Sequence, residues 1–175
     1  MRGWTDLSTI EPIETERLRL CVPAERHFEP FAAMMADEES ARFIGGARGR
    51  TDSWRTFAMI LGHWTLRGYG LYAVEDRASG TFMGRIGLLY PDGWPALELG
   101  YALARPFWRK GHAREACIAV MEREVRRLSP ERLVSIIADD NELSQKLARS
   151  LGAVPAESMT FNGTPVTLHE YDLSR

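Results

Sequence analysis

Leu97-Glu98-Leu99-Gly100-Tyr101-Ala102-Leu103, then Pro106, then Trp108-Arg109-Lys110-Gly111-His112-Ala113: over this stretch the chain changes from one periodicity to another. Leu97 and Leu99 alternate with Glu98, so the run reads as a strand with Glu98 on the opposite face from the two leucines. After Gly111, the apolar residues Ala113, Ala116, Cys117, Val120, Met121, Val125 and Leu128 recur at helical spacing and mark a long amphipathic helix. The joint therefore places Arg109, Lys110, Gly111, His112, Ala113 and Arg114 at a helix N-terminus. Unpaired amides point outward there and the helix dipole favours an anion. Gly111 lets a phosphate approach the backbone, Ala113 keeps the next turn uncrowded, and Arg109, Lys110 and Arg114 add positive charge. Two readings stand at this point: an anion-binding loop, or a helix start with solvated Arg and Lys. No Walker loop and no dinucleotide Gly-x-Gly-x-x-Gly after a strand is present.

Working outward, Leu71 to Val74, Phe82 to Tyr90 and Leu97 to Leu103 are strand-like runs. Short turns at Ala78-Ser79-Gly80 and Pro91-Asp92-Gly93 join them, which predicts an antiparallel meander. Upstream lie a strand over Arg17 to Val22, a helix over Ala24 to Met35, and an Arg/Gly-rich connection from Asp37 to Arg50. A second helix follows, with Thr51, Asp52 or Ser53 as its cap and Gly68 as its end. Downstream, Arg132 to Ala138 reads as a buried strand, Asn141 to Leu151 as a helix, and Val154 to Leu173 as a hairpin turning at Asn162-Gly163. Leu97 to Ala138 forms a strand–helix–strand crossover, the expected parallel unit. The fold class is α+β: one domain over residues 1–175, a mixed and mostly antiparallel sheet with helices on both faces, and residues 1–12 a loosely ordered leader.

Bulk properties narrow the function. A net charge of -2 with 45% hydrophobic and 26% charged residues gives no basis for a nucleic-acid or membrane-surface partner. Lys110 and Lys146 are the only lysines. Cys21 and Cys117 lie far apart and make neither a disulfide framework nor a metal spacing, which fits a reduced, cytoplasmic setting. No His-Glu-x-x-His or comparable ligand set occurs, so no metal is expected. Trp4, Asp6 and Glu11 interrupt the start, so no secretory signal is expected, and no stretch approaches the ~18 apolar residues of a membrane span.

The segment from Leu97 to Leu103, Pro106 and Trp108 to Ala113 resembles motif A of the GNAT N-acetyltransferase superfamily. Glu14-Thr15-Glu16-Arg17-Leu18-Arg19-Leu20, Gly68-Tyr69-Gly70, Gly84-Arg85-Ile86-Gly87, Asn141-Glu142-Leu143-Ser144 and Leu151-Gly152-Ala153 are similar to its RimJ/RimL-type branch, which acetylates ribosomal-protein N-termini. The likeness runs from about Glu14 to Tyr171. Trp108 departs from the motif, which often has Gln or Arg there.

The resemblance implies a GNAT-like sheet whose parallel strand pair splays to hold acetyl-CoA. The backbone of Tyr101, Ala102 and Leu103 would bond the pantetheine arm as an added strand does. Arg109 to Arg114 would take the pyrophosphate, Asn141 would contact the pantetheine or serve as a helix N-cap, and Lys146 would reach the 3′-phosphate or solvent. Glu98 stands as the candidate base, with a structural ion pair to a neighbouring Arg as the other reading. Ser144 stands as the candidate acid or thiol-orienting donor, or as a plain first-turn serine. Cys117 falls on the apolar helix face and reads as core. The expected acceptor is an amine, either a peptide N-terminus or a small molecule such as a polyamine, amino acid or aminoglycoside. A non-catalytic acyl-CoA-binding module is the reading from another class. The acceptor pocket is expected from the Phe43–Arg50 connection, Tyr69, the Tyr90–Trp94 turn and the Phe161–Val166 hairpin tip. The family's habits also make a homodimer an expectation.

Overall fold

The alternating segments assemble into one eight-stranded sheet in a computed structural model that describes residues 4–174. The strands are β1 (Ile13–Glu14), β2 (Leu18–Cys21), β3 (Leu71–Asp76), β4 (Phe82–Leu89), β5 (Leu97–Leu103), β6 (Leu133–Ala138), β7 (Ala153–Phe161) and β8 (Thr164–Tyr171). Their order is β1-β2-β3-β4-β5-β6-β8-β7, and every neighbouring pair is antiparallel except β5–β6.

The helices are α1 (Phe28–Ala36), α2 (Glu38–Ala41), α3 (Arg50–Arg67), α4 (His112–Val120), α5 (Arg126–Leu128) and α6 (Glu142–Ser150). Buried His27, just ahead of α1, bonds Glu75 of β3, so α1 covers the sheet face that carries Ala73 and Arg85. Tyr72 points to the other face and donates to buried Glu124 at 2.7 Å, which fixes the α4–α5 unit there. Helices thus lie on both faces, as the crossover predicts.

Glu124 explains a feature that periodicity missed. The long helix widens into a π-helical turn over Met121–Val125 between α4 and α5. That turn brings a carboxylate inward, where Tyr72 and Arg127 satisfy it.

Other boundaries differ locally. α3 begins at Arg50 behind Gly49, not behind Thr51, Asp52 or Ser53, and Ser53 is fully buried within it. The 37–50 connection contains α2, capped by Asp37, whose side chain accepts from the Ser40 amide. β1 is a short strand ahead of the predicted first one, with buried Ile13 paired to Leu20. Before it, Leu7–Thr9 form a 3-10 turn capped by Asp6. Among the described residues no helix is long and apolar enough to cross a membrane.

Candidate active site

The parallel ladder between β5 and β6 lasts for two positions, Leu97↔Leu133 and Glu98↔Val134. Beyond them β5 stays on β4 as far as Leu103, while β6 from Ser135 to Ala138 stays on β8. The strands therefore part, and side chains finish the ladder where they do. The Ser135 hydroxyl donates to the Leu99 carbonyl at 2.7 Å, and the Ile136 amide lies near the Glu98 carboxylate and favours its charged form. Sequence gives Ser135 no special mark; only the parting of the strands gives it a task.

The β4–β5 register decides which backbone groups face the gap. Arg85↔Ala102 and the bond from the Ala104 amide to the Met83 carbonyl turn residues 98, 100, 102 and 104 toward β4. Residues 99, 101 and 103 then present their amides and carbonyls to the opening. The Leu103 carbonyl is already engaged at 2.6 Å by the indole N–H of Trp108, which gives the unusual aromatic at that motif position a role. The Tyr101 amide and carbonyl and the Leu103 amide remain on the open edge. Ala102, in contrast, bonds β4 with its backbone and meets the opening only with its small side chain.

A cleft of about 460 Å³ lies at this opening. Tyr101, Ala102 and Leu103 form its floor, and Arg109, Gly111, His112, Ala113 and Arg114 one wall. Asn141 and Ser144 form another wall, and Ser40, Phe43 and Ile44 a third. Arg42 and Asp140, 3.1 Å apart, link two of the walls at the exposed mouth. Lys110 and Glu98 do not line the cleft. Lys110 is exposed, and Lys146 pairs with Glu142 at 3.4 Å.

The loop before α4 is held from a distance. Arg109 and Gly111 both have left-handed backbones, with φ of 58° and 81°. Arg17 grips the result: its Nη1 donates to the Lys110 carbonyl at 3.0 Å, and its Nε and Nη2 contact Glu115 Oε2 at 2.7 Å. Thr15 Oγ1 and the Arg17 amide bond the other Glu115 oxygen at 2.6 and 3.0 Å. Burial pushes the Glu115 carboxyl up, but these donors outweigh it and hold the carboxyl below its ordinary range. The Thr15–Arg17 motif is thus a buttress for the first turn of α4. The first helical bond there runs from the Glu115 amide to the Gly111 carbonyl, so the amides of residues 112–114 precede the helix's own ladder. His112 adds a buried Nδ1 that has no partner.

Asn141 caps α6: its side-chain oxygen accepts from the Ser144 amide at 3.2 Å. The Ser144 carbonyl accepts from the Tyr101 hydroxyl at 3.1 Å. That phenol comes from β5, a placement no local motif reveals, and burial keeps it protonated. These bonds use Ser144 backbone atoms and leave its hydroxyl outside the cap.

Glu98 sits on the opposite sheet face from Leu97 and Leu99, as the alternation predicts, and is half-buried. Its Oε2 accepts from the Trp94 indole at 2.6 Å, and Trp94 in turn meets Phe161 edge-on at 4.9 Å. The turn and the hairpin tip named from sequence therefore do converge. Burial raises the Glu98 carboxyl above its ordinary value, although the Trp94 N–H, Arg85 and the Ile136 N–H oppose the shift. Glu98 has no ion pair with an arginine among the described residues; its hydrogen-bond partner is Trp94.

Away from the cleft, Cys21, His27 and Glu75 gather within 4.8 Å. The Ala24 amide donates to His27 Nδ1 at 2.9 Å, so the ring proton lies on Nε2 and goes to Glu75 at 2.8 Å. Neither ring nitrogen is then open to a metal. Cys117 is fully buried, with its thiol pushed up by burial.

Known proteins similar to this chain include acetyltransferases. The acetyltransferase (GNAT) domain model matches residues 17–154. The chain is 26% identical over 171 residues to an uncharacterized N-acetyltransferase, YoaA, of Bacillus subtilis (strain 168), covering 92% of this chain and 95% of that protein. The crystal structure of the acetyltransferase from Agrobacterium tumefaciens str. C58 superposes with a TM-score of 0.86 at 25% identity, covering 94% of this chain and 95% of that one. RimL, a ribosomal alpha-N-protein acetyltransferase in complex with coenzyme A, shares the fold at a TM-score of 0.71 and 17% identity, covering 92% and 96% of the two chains. Acetyltransferases of this fold use acetyl-CoA. The chain belongs to the GNAT family and is an N-acetyltransferase.

Proposed function

We propose that the cleft holds acetyl-CoA and that the chain passes the acetyl group directly to a primary amine, with both substrates bound together. The observation that carries this reading is the parted β5–β6 pair, whose open edge runs into the buttressed N-terminus of α4. The residues present fit the group: a free strand edge at Tyr101, amides 112–114, the buried unpartnered His112 Nδ1, and Arg109 and Arg114 beside them. Asn141 and Ser144 bound the inner end. When bound, acetyl-CoA supplies the thioester carbon that the amine attacks.

Glu98 takes the amine's proton, directly or through water. Its raised carboxyl brings it closer to the amine in proton affinity than an ordinary Glu. The Leu103 amide is the candidate donor to the developing oxyanion. The Ser144 hydroxyl orients the sulfur; as an alcohol it is too weak an acid to do more. A covalent acetyl-cysteine has no support, because Cys117 is buried in the core and Cys21 lies on β2, three strands from β5.

An α-amine ordinarily titrates at about 7.7–8.0 and a lysine at about 10.4, so the α-amine is the more easily deprotonated near neutrality. That difference favours a peptide N-terminus or an amino acid as acceptor. Free thiol release from acetyl-CoA with a panel of peptides and small amines tests the proposal. Turnover of at least one amine, without an acetylated protein intermediate, is the expected result. Binding of acetyl-CoA with no amine turned over contradicts it.

A further inference from the structure

Arg85 stands in the middle of β4, and its side chain makes no hydrogen bond or ion pair among the described residues. Its Nε is fully buried. The surroundings leave room rather than partners. Arg85 pairs laterally with Ala73 and Ala102, and the next position on its face pairs Gly87 with Gly100. Its guanidinium therefore rises from a floor of alanine and glycine edged by Leu71.

Glu98 stands on the same face, beyond Gly100. The two opposite charges feel each other but do not close into a salt bridge. Arg48, tied to Thr56 and the Ile44 carbonyl, adds positive potential on the Arg85 side. Trp94 and Phe161 bound the Glu98 side. Ala102, the cross-strand neighbour of Arg85, also lines the cofactor cleft, so this face opens onto the reaction site.

A guanidinium that is half-buried, with its Nε shut off from water and no partner, is unfavourable, and here burial lowers its affinity for the proton to a pKa of about 10. A group left unpaired inside the protein, beside a reaction site, fits an anion that arrives with the substrate. Arg presents a fork matched to a carboxylate.

We infer that the acceptor is an amine that also carries a carboxylate, with its nitrogen at Glu98 and its carboxylate at Arg85. The chemistry is that of an amino acid or of a peptide whose first residue is acidic; polyamines and aminoglycosides lack it. Arg85 is then a specificity-determining residue. This rests on the acetyl-transfer reading above.

The test measures thiol release by the full chain with acetyl-CoA and matched acceptors: amino acids against their decarboxylated amines and their amides, and peptides beginning with Asp against those beginning with Asn. The two sets separate free amino acids from peptides. The wild-type chain is expected to favour the carboxylate-bearing member of one set by about 10–100-fold in kcat/KM, the worth of a charge-assisted hydrogen bond. In Arg85→Met that ratio falls to near one, while acetyl-CoA affinity holds and the thermal midpoint stays level or rises, because a half-buried charge without a partner has gone. Arg85→Lys, which keeps the charge and loses the fork, gives an intermediate ratio. Equal rates with and without the carboxylate, in a wild-type chain that does turn over amines, overturn the inference. No thiol release with any amine strikes at the cleft reading itself.

Discussion

Arg17→Ala probes the link between the N-terminal motif and the cofactor cleft. The substitution removes one donor to the Lys110 carbonyl and two contacts to Glu115 Oε2. Glu115 keeps Thr15 Oγ1 and the residue-17 amide, so the helix start is loosened, not released. The Arg17 side chain is 45% exposed and that of Glu115 19%, so solvent screens much of the attraction. A loss of ~1 kcal/mol in stability is the scale for such a pair. Cofactor binding loses more, because Glu115 then adds an uncompensated negative charge to the turn assigned to the diphosphate. Taken together, a rise of about 5–30-fold in the acetyl-CoA Kd is expected. Calorimetric titration with acetyl-CoA and a thermal melt on the same sample separate the two effects. Glu115→Gln in the Arg17→Ala background should recover part of the affinity. A lowered melting point with unchanged Kd would refute the buttress argument.

Three further outcomes follow from the geometry. In the wild type, kcat/KM should fall tenfold per pH unit below the amine pKa and steepen once Glu98 also protonates, at a break above the ordinary Glu range because burial raises that carboxyl; Glu98→Gln should lower the rate and erase the second break, and a variant that keeps it would remove Glu98 from the mechanism. The Trp94 indole bond lowers the Glu98 pKa, so Trp94→Phe should move the same break upward, and a downward shift would contradict the assigned contact. Tyr72→Phe leaves buried Glu124 one donor short, at a cost of about 1–3 kcal/mol, and should lower the thermal midpoint by several degrees without changing acetyl-CoA affinity.

The parts of this molecule that were legible in its sequence are those with local causes. The meander from Leu71 to Leu103 shows in its turns, the β5–α4 joint in a change of period, and the β7–β8 hairpin in Asn162-Gly163. The alternation of Glu98 with two leucines correctly gave its face. What was hidden depends on partners far along the chain. The buttress joins Arg17 to Glu115, the Tyr101 phenol reaches Ser144, and Ser135 caps Leu99 across the opening. Arg85 lay in plain view inside the Gly84–Gly87 motif, but its isolation depends on which small residues flank it on β3 and β5. Within the joint itself, the string of basic residues did not reveal that Lys110 faces away from the cleft while His112 lines it. The two left-handed residues around Lys110 set that division.

The central claim is that acetyl-CoA lies along the open edge of β5 with its diphosphate on the first turn of α4. Amide hydrogen exchange with and without acetyl-CoA tests it most directly. The amides of Tyr101, Leu103 and residues 112–114 should slow on binding, while those of β2 and the β7–β8 hairpin strands stay unchanged. Binding that leaves these five amides unaltered, or that protects a different face of the sheet, would contradict it.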